Sequence, residues 1–244
     1  MVNTPPVRTA PSDARFGVRA VLALVALAII AIPFGLLLFF VQDKWPPLRA
    51  VDEGVRDALH RFTLDHSAFA TTMKVLSTIG SAPVYFVVFA LVAGWLLYRR
   101  MPRSAAFVVV TSLGGALLNE VVKTVVHRAR PVVADPVAHA SGLSFPSGHA
   151  QSAIVSYSLL LLVFWSELSR AWRRVALVVS VLMVLGIGLS RVALSVHYVS
   201  DVLAGYALGA AWVVAMTALF SAWRQEHGRR PVDPAKGLAA DDGR

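Results

Sequence analysis

The sequence contains no cysteine, and only 15% of its 244 residues are charged. The lack of cysteine excludes a disulfide framework, a thiolate metal site and a cysteine nucleophile. A soluble domain carries roughly a quarter charged residues, whereas 57% of this chain is hydrophobic and its mean hydropathy is +0.65. Because so little polar surface cannot cover a water-soluble globule, the composition indicates a membrane protein.

Acidic residues are also scarce, since 14 Asp and Glu stand against 23 Lys and Arg and the formal net charge is +9. In a soluble protein this excess would suggest nucleic-acid binding, but no basic stretch carries interleaved aromatic residues or a recognition motif. Basic residues that flank membrane spans and set their topology explain the excess better. We therefore expect membrane lipids, and no nucleic acid, as partners.

Six apolar stretches are candidates for membrane-spanning helices. Residues 20–41 run for 22 positions without a charge, which is enough to cross a hydrocarbon core of about 30 Å. This run is too long for the apolar part of a signal peptide and no Ala-x-Ala site follows it, so we interpret it as a retained anchor. The other stretches are 79–98, 105–122, 150–165, 175–189 and 199–220. The prediction is an all-α integral membrane protein with six transmembrane helices and a helical-bundle core.

The six spans define one domain and two tails. Residues 1–14 and 225–244 are polar and without apolar periodicity, which predicts disordered tails. Residues 15–224 then form the six-span domain, and residues 43–74 are its first outer loop and its only long one.

Within that loop, apolar residues recur at helical spacing among charged ones and predict one amphipathic helix. Such a helix lies either on the outer membrane interface or, as a solvated helix, against the bundle. The apolar positions are Val51, Val55, Leu59 and Phe62.

The distribution of Lys and Arg predicts the orientation of the spans. Six spans place both termini on one side of the membrane, and 14 of the 23 basic residues fall on that side. Because basic residues accumulate on the cytoplasmic side, we expect both termini to lie in the cytoplasm. The membrane is expected to be the cell (inner) membrane.

Three polar clusters interrupt the apolar background, and the topology places all of them at the outer ends of spans. Each alone has an ordinary explanation, as snorkelling cations, a turn before a helix, or a pair on a helix surface. Charged groups that gather beside a bilayer are costly, however, and indicate a functional site. The clusters are Lys123 with Arg130-Pro131, then Pro146-Ser147-Gly148-His149, and Ser190-Arg191 with His197 and Asp201.

The residue types in these clusters suit phosphate chemistry. Lys123, Arg130 and Arg191 supply three cations, and the planar fork of arginine matches phosphate oxygens. Ser147 and Gly148 open a helix, where free backbone N–H groups and the helix dipole favour an anion.

Two histidines and a carboxylate complete the candidate site. His197 and Asp201 are spaced i and i+4, so the carboxylate can hold one ring nitrogen and leave the other free as nucleophile or base. His149 is suited to giving a proton to a leaving oxygen. No carboxylate cluster is present for Mg²⁺ or Ca²⁺, and three adjacent cations oppose a zinc site on His149, His197 and Asp201. We therefore expect no metal and no cofactor.

These clusters resemble the signature motifs of the type 2 phosphatidic acid phosphatase superfamily, which also contains vanadium haloperoxidases and bacterial acid phosphatases. Eleven motif positions match in order across residues 123–201, and the six spans resemble the membrane branch of the family. The resemblance implies that His197 attacks phosphorus and forms a phosphohistidine, while Asp201 orients His197. It also implies that His149 protonates the leaving group and then activates water.

The resemblance further implies which residues bind phosphate and which support them. The phosphate-binding set is Lys123, Arg130, Ser147, Gly148 and Arg191, and the supporting set is Ser190, Pro146 and Glu120. We interpret His127 and Arg128, at variable motif positions, chiefly as interfacial anchors, and Glu120 as a partner of Lys123 or of a site arginine. The remaining histidines, His60, His66 and His139, are interpreted as solvated loop residues.

The function implied by the resemblance is a membrane lipid phosphatase that needs no metal. An outward-facing site suits recycling of undecaprenyl diphosphate, which is our first expectation, with phosphatidylglycerophosphate and phosphatidic acid as alternatives. A lipid-phosphate binder or transporter is the alternative from another class, but both histidines and Asp201 are present. A vanadate haloperoxidase would be soluble, which six spans argue against. The sequence does not predict an oligomeric state.

Overall fold

The apolar runs fold into helices, because backbone surrounded by lipid must satisfy its hydrogen bonds within one segment. The computed structural model describes residues 12–226 and residue 237, and this part of the chain contains helices and no strand. A single 3₁₀ turn, Trp165–Glu167, follows the sixth α-helix. The α-helices are α1 Ser12–Gln42, α2 Pro46–Asp65, α3 Ser67–Ile79, α4 Ala82–Tyr98, α5 Pro102–Val126, α6 Gly148–Phe164, α7 Arg170–Ala193 and α8 Val199–Glu226.

Five of these helices are long and apolar enough to cross a membrane: α1, α5, α6, α7 and α8. A sixth candidate span is the pair α3 and α4, which meet at a 44° bend. At the bend, a Cβ on Gly80 would lie 2.5 Å from the side chain of Ile187, so glycine lets the bend pack against α7. The all-α bundle is therefore confirmed for the described residues, with five helices that could cross a membrane, or six if the bent pair forms one span.

The ends of the described chain differ slightly from the predicted tails. Helix α1 already begins at Ser12 and α8 continues to Glu226, because helical structure runs past the apolar core of both spans. The rest of the predicted tails, residues 1–11 and the chain beyond Glu226, lies outside the described residues apart from Gly237.

The predicted outer loop is helical through almost its whole length. Helix α2 is the expected amphipathic helix, but it faces the bundle with polar residues: Asp52 and Thr63 are buried, whereas Val51 is 55% and Phe62 is 45% exposed. Its position on a membrane interface stays a prediction. The longest connection between described helices is instead residues 127–147, which follow the first polar cluster and carry site residues.

Helices α6 and α8 approach each other very closely near the ends at which both begin. A Cβ on Gly205 would lie 2.5 Å from the carbonyl oxygen of Ser147, and one on Gly209 would lie 2.8 Å from that of Gln151. Two glycines one turn apart thus let the backbones touch, as small residues commonly do between membrane helices. The Ser147 N–H accordingly donates to the carbonyl of Asp201 at 2.9 Å, which brings the second and third polar clusters together.

Candidate active site

The three clusters meet at one end of the bundle, where α5 and α7 end and α6 and α8 begin. The turn between α7 and α8 carries His197, which is 2% exposed. Ser195 has a positive φ of 56°, and the N–H groups of Val196 and His197 both donate to the carbonyl of Arg191. This tight turn points the imidazole into the bundle.

Both ring nitrogens of His197 have partners. Nδ1 lies 3.4 Å from Oδ2 of Asp201, and Nε2 lies 2.9 Å from Nη1 of Arg130. A guanidinium can only donate, so Nε2 is the acceptor and the proton is assigned to Nδ1, towards the carboxylate. The lone pair of Nε2 therefore faces the cationic side of the site.

Asp201 is fully buried, and its carboxylate is surrounded by donors. Oδ2 accepts from the Ser144 hydroxyl at 2.5 Å and from the Tyr198 N–H at 2.8 Å, while Oδ1 accepts from Arg128 Nη1 at 2.7 Å. A buried carboxylate with this many donors is held in one orientation.

Burial sets the charge state of the imidazole. It lowers the pKa of His197 to about 4, and the hydrogen bond and charge of Asp201 only partly oppose this effect. The ring is therefore neutral near pH 7, the state in which a histidine can act as a nucleophile. Burial also lowers the pKa of Arg130, which nevertheless remains a cation at any ordinary pH.

The start of α6 lies beside Lys123. The Ser147 hydroxyl caps the helix by accepting from the Ala150 N–H at 3.4 Å. A Cβ on Gly148 would lie 3.2 Å from Asn119 Oδ1 and 3.7 Å from Lys123 Nζ, so glycine leaves room where the cation meets the helix N-terminus.

Arg191 and His149 meet at helix α3. Nη1 of the buried Arg191 donates to the hydroxyl of Ser77, and Nε of Arg191 has no partner within residues 12–226 and 237. The His149 ring lies beside the backbone of Ser77 and close to Arg191 and His197. The two histidines and the arginines therefore share one site.

The predicted supporting residues differ in what they contact. Glu120 forms an ion pair with Lys123 at 2.8 Å, which is one of the two partners predicted for it. The Ser190 hydroxyl donates to the carbonyl of Ile187 at 2.6 Å, so it satisfies its own helix instead of facing the site. Pro146 is buried directly before the Ser147 cap.

Four residues around the site were missed by the sequence reasoning. Arg128, interpreted as an interfacial anchor, pairs with two buried carboxylates, Asp201 at 2.7 Å and Asp52 at 2.8 Å. The only sequence feature that could have marked Arg128 as a site residue was its position two residues before Arg130. Nothing in the sequence marked Asp52, Ser77 or Ser144, because their partners are 57 to 148 positions away in the chain.

One other sequence interpretation, that His60 is a loop residue, is wrong. His60 lies within helix α2 and is not a loop residue, since its Nδ1 is 3.1 Å from the Ser195 hydroxyl. Across residues 12–226 and 237, no three His, Cys, Asp or Glu side chains are grouped as metal ligands would be.

A buried histidine, an adjacent carboxylate and converging cations lie at one end of a helical bundle whose helices are long and apolar enough to cross a membrane. The chain belongs to the PAP2 superfamily, whose family model matches residues 104–225.

Relatives by sequence include two bacterial phosphatases. The chain is 38% identical over 120 residues to phosphatidylglycerophosphatase B of Bacillus subtilis, a match that covers 48% of this chain and 58% of that protein. It is 32% identical over 169 residues to decaprenylphosphoryl-5-phosphoribose phosphatase of Mycobacterium tuberculosis, covering 66% of this chain and 84% of the relative. The chain thus spans less than two thirds of the first relative's length.

A solved structure shares the fold. The crystal structure of the first transmembrane PAP2 type phosphatidylglycerolphosphate phosphatase from Bacillus subtilis superposes with a TM-score of 0.69. The match covers 79% of this chain and 94% of that one at 23% identity. This likeness supports the helical arrangement.

Proposed function

We propose that the protein is a membrane phosphatase that removes a terminal phosphate from a lipid phosphate or diphosphate through a phosphohistidine. The observation that carries the proposal is the environment of His197. Its ring is buried, Asp201 holds the Nδ1 side, and the Nε2 lone pair points at the guanidinium of Arg130. An oriented neutral nucleophile beside a cation is the arrangement that attack on a phosphate ester needs.

In the first chemical step, Nε2 of His197 attacks phosphorus, a P–N bond forms and the bond to the leaving oxygen breaks. His149 gives its proton to that oxygen, which leaves as the lipid alcohol or lipid phosphate. The hydrogen bond from Asp201 supports the positive charge that develops on the imidazole.

In the second step, His149 takes a proton from a water molecule whose oxygen attacks phosphorus. The P–N bond breaks, its electron pair returns to Nε2 and inorganic phosphate leaves. Each residue then has the protonation state with which the cycle began.

The cations of the site stabilise the transition state. Charge spreads over the equatorial oxygens during phosphoryl transfer, so preorganised donors supply most of the rate enhancement. We assign this role to Lys123, Arg130, Arg191 and the N-terminus of α6 at Ser147 and Gly148, which surround the histidines. None of these steps needs a metal ion.

For the substrate, we propose a lipid that enters sideways between spans and leaves its head group at the cations, on the outer face of the cell membrane. Undecaprenyl diphosphate suits an outward site. The names of the two relatives, one a phosphatidylglycerophosphatase and one a phosphatase of decaprenylphosphoryl-5-phosphoribose, favour a second candidate, a lipid that bears a phosphomonoester.

The test is phosphate release by detergent-purified protein in EDTA, from undecaprenyl diphosphate, phosphatidylglycerophosphate, phosphatidic acid and a soluble phosphate ester. The His197→Ala variant is measured beside the wild type. Release that depends on His197 would support the phosphatase, and the ranking of lipids would identify the substrate class. Binding of these lipids by folded protein without any release would favour the binder or transporter.

A further inference from the structure

Helix α2 makes a series of polar contacts with the segment that carries His197. The Asp52 carboxylate accepts from the backbone N–H of Ser200 at 2.9 Å and from its hydroxyl at 2.5 Å. Two turns further on, His60 Nδ1 lies 3.1 Å from the Ser195 hydroxyl. Both contacts fall within residues 193–200, which comprise the end of α7, the turn after it and the start of α8.

The same face of α2 continues along this turn. The Thr63 hydroxyl donates to the carbonyl of Ala193 at 3.1 Å, and the guanidinium of Arg56 lies 5.7 Å from the centre of the Tyr198 ring. Positions 52, 56, 60 and 63 follow one another at three- and four-residue spacing, so they project from one side of a helix. That side is polar and faces the bundle.

Arg128 links α2 directly to the catalytic carboxylate. Its Nη2 donates to Asp52 at 2.8 Å, and its Nη1 donates to Asp201 at 2.7 Å and to the Ser200 hydroxyl at 2.7 Å. The guanidinium also lies over the Tyr198 ring, 4.3 Å from its centre. One planar cation thus bridges two buried carboxylates, a geometry that the single ammonium of lysine cannot reproduce.

We propose that helix α2 is a functional part of the active site, in which Asp52 and Arg128 are positioning residues that hold Asp201 and the His197 turn in their reactive geometry. The inference rests on the proposed phosphatase reaction and adds two residues and a helix to it. Neither residue needs to touch the substrate, because each acts through Asp201.

The chain offers a direct way to separate positioning from folding. A cavity of about 650 Å³ opens beside α2 and is lined by Asp52, Arg128 and Tyr198 among others, so a small cation in solution has access to this place. In an Arg128→Ala variant, added guanidinium can therefore occupy the position of the lost side chain, whereas a misfolded protein would not recover within an assay.

We expect Arg128→Ala to lower kcat by roughly 100-fold with little change in KM, because displacement of reacting groups by about 1 Å costs that much. Millimolar guanidinium should restore part of kcat, and Arg128→Lys should remain impaired. Asp52→Asn should act in the same direction, and the losses in the double variant should not add. The matched controls are Glu53→Gln, the exposed neighbour on α2, and Arg49→Ala, which lines the same cavity.

Three results would overturn the inference: an unchanged kcat in Arg128→Ala and Asp52→Asn, full activity in Arg128→Lys, or a change in KM alone. If Arg128→Ala does not fold, Asp52→Asn and Thr63→Val decide the question by the same split between kcat and KM. A wild type that releases no phosphate would count against the proposed function itself, whereas an active wild type beside active variants would refute only the role of α2.

Discussion

Nη1 of Arg130 lies 2.9 Å from Nε2 of His197, so a cation occupies the approach to the nitrogen that is proposed to attack phosphorus. The contact keeps the lone pair on Nε2, because the guanidinium has no acceptor. A phosphoryl group that enters the site must come between the two side chains, where its oxygens replace Nε2 as the acceptor. We therefore expect Arg130 to contact His197 in the free protein and to bind the phosphate in the complex.

Replacing Arg130 should affect both roles. We expect Arg130→Ala to lower kcat by about 100- to 1,000-fold, the range seen when one transition-state donor is removed. Arg130→Lys should retain the charge but lose the planar fork, so its kcat should lie between those of the wild type and Arg130→Ala. Steady-state phosphate release measures kcat and KM. The control is Arg61→Ala, on the exposed side of α2. Wild-type kcat in Arg130→Ala would contradict the assignment.

Replacing His197 and replacing Asp201 should impair turnover in different ways. His197→Ala removes the atom that bonds phosphorus, so turnover should vanish while the protein still folds. Asp201→Asn keeps the shape of the carboxylate but loses its charge, and should lower kcat more than it changes KM. Circular dichroism beside phosphate release distinguishes loss of function from loss of fold. An Asp201→Asn variant changed only in KM would exclude the orienting role.

The buried imidazole should also make stability depend on pH. Burial lowers the pKa of His197 to about 4 in the folded protein, whereas the unfolded chain takes up the proton near pH 6.5. Between these values the unfolded state binds more protons, so stability should fall as the pH decreases from about 6.5 to 4. The difference in Tm between wild type and His197→Asn, followed from pH 8 to 4.5, isolates this group. A constant difference across that range would refute the buried neutral imidazole.

The close contact between α6 and α8 predicts a sharp difference between two glycines. Gly205→Ala places a methyl group 2.5 Å from the Ser147 carbonyl, which must move, so both Tm and kcat should decrease. Gly94→Ala meets nothing within 4 Å in the middle of α4 and should be neutral or slightly stabilising. Thermal unfolding in detergent and phosphate release would be measured for both variants. Equal behaviour of the two would mean that the helices do not meet as described.

Vanadate and chelators test whether the site acts through cationic side chains and without a metal ion. Vanadate adopts the geometry of the phosphoryl transition state, so it should inhibit competitively and lose its effect in Arg191→Ala. EDTA should leave the rate unchanged, since the proposed steps use only side chains. Activity that EDTA removes and zinc restores would revive the zinc alternative on His149, His197 and Asp201.

Local sequence patterns were sufficient to predict the helices and to single out most of the residues that the structure brings together. The apolar runs predicted the bundle, and the spacing of His197 and Asp201 predicted a pair that the structure places 3.4 Å apart. The bend before α4 was not predictable, because Gly80 is explained only by Ile187, a residue 107 positions later that it must approach. Periodicity likewise predicted helix α2 but not which of its faces packs against the bundle. The burial of Asp52 is explained only by its partners Arg128 and Ser200, which are distant in the sequence.

The glycine contact also bears on how the site behaves in membranes of different thickness. Helices adapt to a thicker or thinner hydrocarbon layer mainly by tilting. Helices α6 and α8 begin at the site, and their backbones approach each other so closely at Gly205 and Gly209 that little space is left there to absorb a change in angle. The two helices should therefore tilt as one body, carrying Ser147, His149 and Asp201 together and keeping their spacing when the surrounding lipid changes.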